Sequence, residues 1–200
     1  SDSGNDTINA GEGNNVINAG SGKNNITSGA GNDIITTTSG DDTINAGGGD
    51  NKVTAGSGDN QITTGSGDDT IITTSGVDTV VAGAGNDIIV TGSANDSIDG
   101  GADTDICHGE GGTNTIVNCE GASTGSNSAL IAVKKDSTPD NTGTFDFIGS
   151  GVIGNFSVNG DDMHAFHNSD PGTGAGTTYT ITETAQAGWT LTDISCVSYD

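Results

Sequence analysis

From residue 6 to residue 114 an aspartate or asparagine recurs at every ninth position without a slip: Asp6, Asn15, Asn24, Asp33, Asp42, Asn51, Asn60, Asp69, Asp78, Asp87, Asp96, Asp105 and Asn114. Such a column carries carboxylate and carboxamide oxygens at a fixed interval and no nucleophile. Two chemistries use it: ligation of a hard cation by oxygen, or a ladder of side-chain hydrogen bonds. No catalytic constellation accompanies the column. The chain has no Gly-x-Ser-x-Gly elbow, no His-Glu-x-x-His and no phosphate loop ending in Gly-Lys-Ser/Thr. His108, His164 and His167 lack a nucleophile-and-acid setting, and the latter two, beside Asp161 and Asp162, read as part of a polar loop. The protein is not expected to be an enzyme.

Two further columns keep the same phase and define the elements that carry the oxygens. Two residues before each Asp or Asn is a glycine slot, filled by Gly at eleven of its thirteen positions, with Ala94 and Asp103 as exceptions. Two residues after it is an apolar slot, from Ile8 and Ile17 through Val53 and Val80 to Cys107 and Ile116. The three residues around each apolar position form a short strand, with the apolar side chain inward and its neighbours outward. The glycine half supplies a tight turn that needs positive φ and close backbone approach. One nonad reverses the chain, and two return it to its start. Stacked turns make a flattened parallel β-roll with rungs about 4.8 Å apart, so roughly six and a half turns give a rod about 30 Å long. The fold class is all-β.

On these residues, the block from Gly4 to Glu120 resembles the RTX nonapeptide repeat, G-G-x-G-x-D-x-U-x, whose members form calcium-binding parallel β-rolls. The resemblance implies Ca²⁺ ions between consecutive turns, held by the thirteen column residues named above and by loop carbonyls. Residues 18 apart share an edge. One edge reads Asp6, Asn24, Asp42, Asn60, Asp78, Asp96, Asn114, and the other Asn15, Asp33, Asn51, Asp69, Asp87, Asp105. Acid and amide alternate early, whereas Asp78/Asp96, Asp69/Asp87 and Asp87/Asp105 are acid pairs. An asparagine offers only a neutral carbonyl oxygen, so tighter sites are expected between residues 69 and 105 and weaker ones nearer the N-terminus. The alternative is a metal-free roll with Asn ladders.

Composition points the same way. The net charge is −23, with Lys23, Lys52, Lys134 and Lys135 the only basic residues, which disfavours nucleic acid and anionic membranes as partners. With 35 glycines and few aromatics, a metal-free roll struggles to offset chain entropy and self-repulsion, so metal binding and folding are expected to be coupled. No apolar run approaches the length of a membrane span. Ser1-Asp2-Ser3 begins inside a repeat without an initiator Met, and we expect the chain to be a segment of a longer or processed protein.

The outward residues of the two strand sets differ. One set, such as Thr7/Asn9, Asn25/Thr27 and Gln61/Thr63, is polar and flat. The other, including Val16, Ile34, Ile72, Ile88 and Val90, carries an apolar stripe, which is either a packing surface or β-branched residues kept for strand propensity. Threonines on a flat face also suggest ice binding, but Asn, Gln, Ser and Val interrupt them. Cys107 fills an apolar slot and Cys119 lies just past the last nonad. In a secreted protein a Cys107–Cys119 disulfide closing the final coil is expected; a metal site on Cys107, His108 and Cys119 lacks a fourth ligand.

Residues 121–128, opening with Gly-Ala-Ser-Thr-Gly-Ser-Asn, read as a small-residue linker. Beyond it the period changes to two, and strands are expected at 129–135, 144–148, 155–158, 163–166, 177–184 and 189–197. They suggest a small antiparallel Ig-like β-sandwich over residues 129–200. Val133-Lys-Lys-Asp-Ser-Thr-Pro-Asp140, Phe145-Asp-Phe147, Tyr179-Thr-Ile-Thr-Glu-Thr184 and Gly188-Trp-Thr-Leu-Thr-Asp-Ile-Ser-Cys196 resemble the prealbumin-like, collagen-adhesin B-type domains of bacterial surface proteins. Members of that family serve as stalks or spacers. They usually continue past the Ser-Cys to a final strand, so an open edge that another chain fills by strand addition is expected here. Cys196 is left without an evident partner. A Lys–Asn crosslink assisted by Glu183 is not expected, because residues 185–200 contain no Asn.

These readings together give a secreted or cell-surface structural or adhesive protein, calcium-binding and self-associating or packed against surface neighbours, with no membrane insertion. A filament or surface layer built by strand donation is one form of this. The alternatives are the secretion and folding module of a larger exported enzyme, and an ice-binding adhesin segment.

Overall fold

The computed structural model describes residues 2–124 and, beyond them, the strands at 129–134, 144–149, 155–159, 163–168 and 181–183. Within residues 2–124 the period of nine becomes fourteen short strands. In chain order these are β1 (Thr7–Asn9), β2 (Val16–Ser21), β3 (Asn25–Thr27), β4 (Ile34–Ser39), β5 (Thr43–Gly47), β6 (Lys52–Thr54) and β7 (Gln61–Thr64). They continue as β8 (Thr70–Ile72), β9 (Thr79–Ala84), β10 (Ile88–Thr91), β11 (Ser97–Ala102), β12 (Ile106–Gly109), β13 (Thr115–Val117) and β14 (Gly121–Thr124). Odd-numbered strands form one seven-stranded sheet and even-numbered strands the other, in sequence order across each sheet. All pairs are parallel, and until the last pair partners stand 18 residues apart, as in Thr7↔Asn25 and Ile89↔Cys107, apart from one-residue slips at Gly20↔Thr37 in β2/β4 and Gly47↔Thr64 in β5/β7. The expected two-nonad β-solenoid is what forms.

The core is a stack of the apolar column. Ile26, Ile35, Ile44, Val53, Ile62, Ile71, Val80, Ile89, Ile98 and Cys107 are fully buried, with Ile8 and Ile116 packed against the two ends. Each rung buries one branched side chain from each sheet, and at roughly 1.5–3 kcal/mol for each buried Val or Ile side chain this is the main stabilising term. A second interior column, not anticipated from the repeat, lies two residues further on. It consists of Ala19, Ser28, Thr37, Ala46, Ala55, Thr64, Thr73, Ala82 and Thr91, all buried. Only small side chains stand there, because the chain is already bending into the next turn. Two of the five polar members bond along the stack: the Ser28 hydroxyl donates to the Ala46 carbonyl (2.8 Å) and the Thr64 hydroxyl to that of Ala82 (2.7 Å).

The glycine slot has positive φ at all thirteen positions, including Ala94 (148°) and Asp103 (83°). At Gly58 and Gly85 an added Cβ would run into the carbonyl of Gly40 and Gly67, the glycines one full turn earlier. Both conformation and stacking therefore select glycine.

Residues 121–124 are not a linker. They form β14, which pairs with β12 in the register Ile106↔Gly121, Cys107↔Ala122 and His108↔Ser123. The offset there is 15 instead of 18, so the last turn is three residues short and falls outside the repeat's phase. Cys107 and Cys119 are disulfide-bonded, with their Cα atoms 6.0 Å apart, and this ties the shortened turn to the stack as expected. The His108 imidazole lies against the Ser123 hydroxyl, Nδ1 to Oγ 2.7 Å.

The chain divides into two compact units, Ser1–Ser126 and Asn127–Asp200. In the second unit, β15 (Ala129–Lys134) pairs antiparallel with β18 (Met163–Asn168), from Ala129↔Asn168 to Lys134↔Met163. β16 (Thr144–Gly149) pairs antiparallel with both β17 (Asn155–Asn159) and β19 (Ile181–Glu183). The first four of these strands fall where the period-two pattern puts them. The strand expected at 189–197, Tyr179, Trp189 and Cys196 lie outside the described residues.

Candidate metal-binding edges

The thirteen Asp and Asn residues stand at the mouths of the turns, just before each strand begins, and form one column along each edge of the roll. Ten of the thirteen are buried; Asp6, Asn15 and Asn114, near the two ends, are half-buried. The columns are held by a side-chain ladder. The Oδ1 of each column residue accepts the backbone N–H of the column residue one turn earlier. Asn15 donates to Asp33 (2.7 Å), Asn51 to Asp69 (2.7 Å), Asp69 to Asp87 (2.7 Å) and Asp87 to Asp105 (2.8 Å) on one edge. On the other edge Asp42 donates to Asn60 (3.1 Å), Asn60 to Asp78 (2.9 Å) and Asp78 to Asp96 (2.9 Å). The short last turn keeps the ladder intact by a change of residue: the Asp105 N–H donates to Glu120 Oε2 at 2.8 Å, and the extra methylene makes up the reach.

In the seven column aspartates from Asp33 to Asp105 one oxygen is thus fixed, and the other is left out of the ladder. Oδ2 of Asp33, Asp42, Asp69, Asp78, Asp87, Asp96 and Asp105 is buried without a hydrogen-bond partner among the described residues. A buried carboxylate oxygen with neither donor nor counter-charge is strongly unfavourable. Asp69, Asp78, Asp87 and Asp105 respond by holding their protons more tightly. Burial pushes the Asp87 carboxyl up to about 8, with the charges of Asp69, Asp105 and Asp68 adding to the rise. Burial likewise pushes Asp105 up to about 6, helped by Glu120, Asp103 and Asp99, and raises Asp69 and Asp78. A row of buried oxygens that needs positive charge is what a hard cation satisfies, and the aspartate columns fit calcium on this ground. Among the described residues there is no cluster of three or more His, Cys, Asp or Glu side chains able to hold a metal. Neighbouring turns bring at most two column carboxylates together, and the remaining ligands must be backbone and amide oxygens.

A second ladder, one residue before the first, was hidden by its mixed composition. Here Oδ1 accepts from the following turn: Lys23 N–H donates to Asn5, Asn32 to Asn14, Asp50 to Asn32, Asp68 to Asp50, Val77 to Asp59 and Thr104 to Asn86. The two ladders run in opposite senses and together satisfy the turn amides that no strand pairs. What could have revealed the outer one is its richness in Asn and Asp, the residues whose short side chains bond neighbouring backbone.

The comparisons agree with this geometry. The RTX calcium-binding nonapeptide repeat (four copies) matches residues 1–35, 27–62, 36–71, 63–95, 72–106 and 81–116, and a prealbumin-like fold domain matches residues 131–200. The chain belongs to the RTX calcium-binding nonapeptide-repeat family, and it carries a prealbumin-like domain after the roll. No curated protein and no solved structure matches it.

Proposed function

We propose that this is a calcium-dependent structural protein of the cell surface or the extracellular space, with a roll that calcium stiffens and a prealbumin-like stalk or adhesive domain. The observation that carries the reading is the row of seven buried, unpartnered Oδ2 atoms on the two edges. Calcium supplies positive charge at those oxygens. The chain's own residues do the rest: the Oδ1 ladder fixes each carboxylate, the glycine turns let backbone carbonyls approach, and the apolar column holds the turns in register. At −23 the calcium-free chain repels itself, so the protein is exported unfolded where calcium is scarce and orders where calcium is plentiful. RTX repeats and prealbumin-like domains typically belong to secreted or surface proteins, which supports this location. The role is structural and not catalytic, and self-association through the second unit is the adhesive form of it.

The test is a calcium titration of chelator-treated protein followed by circular dichroism and light scattering. A coil-to-β transition supports the reading, and growth in particle size on top of it supports assembly. Full β structure in chelator with no calcium uptake would overturn it.

A further inference from the structure

The column residues are not one ligand set. Asp and Asn have the same shape and share the Oδ1 ladder bond, so the second atom of each side chain, Oδ2 or Nδ2, occupies the same place in the turn. The asparagines show what surrounds that place. Asn15 Nδ2 donates to the carbonyls of Gly11 (3.1 Å) and Gly13 (2.6 Å). Asn51 Nδ2 donates to Gly49 (2.7 Å) and Gly47 (3.5 Å), and Asn60 Nδ2 to Gly58 (2.9 Å) and Gly56 (3.3 Å). Asn24 and Asn114 donate to Gly22 (2.9 Å) and Gly111 (3.0 Å). The orientation of the amide is fixed independently, because Oδ1 of Asn24, Asn51, Asn60 and Asn114 accepts a backbone N–H that could not face an NH₂ group. In an aspartate turn the equivalent carbonyls, such as those of Gly65 and Gly67 before Asp69, would meet Oδ2, and acceptor would face acceptor.

We propose that the asparagines are built-in replacements for the cation: each Nδ2 supplies to the turn carbonyls the positive end that calcium supplies in the aspartate turns. This rests on the calcium reading above and adds which turns load. Asn24 and Asn60 go further and donate to Oδ1 of Asp42 (3.0 Å) and Asp78 (2.9 Å), giving a neutral partner to the acid of the next turn. Asp33 and Asp42 therefore stand alone between amide neighbours on their edges. Only Asp69/Asp87, Asp87/Asp105 and Asp78/Asp96 set two orphaned carboxylates in adjacent turns. The roll has a section around residues 15–60 in which amides close four of six turns and leave Asp33 and Asp42 as isolated acids, and a section from 69 to 105 in which every turn carries an orphaned carboxylate and calcium is needed.

The test is bound calcium per intact chain, by equilibrium dialysis with metal analysis, together with circular dichroism in chelator. Asn51→Asp joins Asp33 to Asp69 in one acid run. It is expected to add about one or two calcium ions per chain and to lower the melting temperature in chelator, where Gly47 and Gly49 lose their donor. Asp87→Asn breaks both acid pairs on its edge. It is expected to lower the calcium count and raise the melting temperature in chelator, and it decides the matter if Asn51→Asp does not fold. An unchanged count in a folded Asn51→Asp or in Asp87→Asn would overturn the division while leaving calcium binding itself intact. A wild-type chain that binds no calcium at all would overturn both.

Discussion

The two halves of the roll have the same core and different edges. Around residues 15–60 the interior isoleucines are buried much as around residues 69–105, the strands around the apolar column pair 18 residues apart in both, and the Oδ1 ladder runs through both. What differs is the mix of edge atoms: in the first half four of the six column residues carry an amide nitrogen that donates to turn carbonyls, with Asp33 and Asp42 isolated among them, whereas in the second half all five carry a carboxylate oxygen with no partner. The hydrophobic stack sets the architecture, and the edge residues set the conditions under which it stands.

The largest way to break the comparison is to remove calcium. Amide hydrogen exchange followed by mass spectrometry, in chelator, should show strong protection in peptides from residues 15–60 and its loss in peptides from 69–105. Uniform loss or uniform protection would mean that the edges do not differ in effect. The shared core is the control. Ile35→Ala and Ile71→Ala each empty a fully buried site and should each cost about 3 kcal/mol in calcium, read from denaturant midpoints. A cost confined to one half would place the difference in the core instead.

Proton binding sharpens the contrast. Asp69, Asp78, Asp87 and Asp105 hold their protons more tightly in the fold than in the unfolded chain. The metal-free fold therefore binds more protons, and its stability falls as pH rises. The contribution is whole below the ordinary carboxylate range and is lost through about 6 for Asp105 and about 8 for Asp87. In chelator the melting temperature should be higher at pH 5 than at pH 8.5, whereas calcium, which competes with those protons, should bind better at the higher pH. A flat profile in chelator would show that the acids are not buried as described.

The smallest effect concerns the turns. Ala94 and Asp103 hold positive φ without being glycine, so Ala94→Gly should stabilise the calcium-loaded roll by about 1 kcal/mol, seen as a small rise in melting temperature.

The fold was legible because one rule repeats without a break in phase: glycine (save Ala94 and Asp103), then Asp or Asn, then an isoleucine-like residue, each two apart, fix turn, edge and core thirteen times over. What the period concealed had physical reasons. The inner column of Ala19, Thr37 and Ala55 varies in polarity because a bending chain selects size and not hydropathy. β14 escaped because the turn closed by Cys107–Cys119 is 15 residues long and shifts the phase. The division of the edges was half visible: the loss of charge at Asn51 and Asn60 is plain in the sequence, but their donation to glycine carbonyls needs the geometry. The positions of β15 to β18 followed from period-two alternation, but the pairing of β15 with β18 and of β16 with β17 needed the structure.

In the roll strand partners lie one turn of about 18 residues away, and the bonds between turns point along the stack. Tension drawing the two ends of the stack apart meets those bonds one rung at a time instead of shearing many together. Each rung that yields lengthens the chain by roughly 60 Å, the span of 18 extended residues, where the folded turn occupied about 4.8 Å. Such an element gives way in steps under load and rewinds from the rungs still standing, with calcium setting how much force the acidic steps withstand.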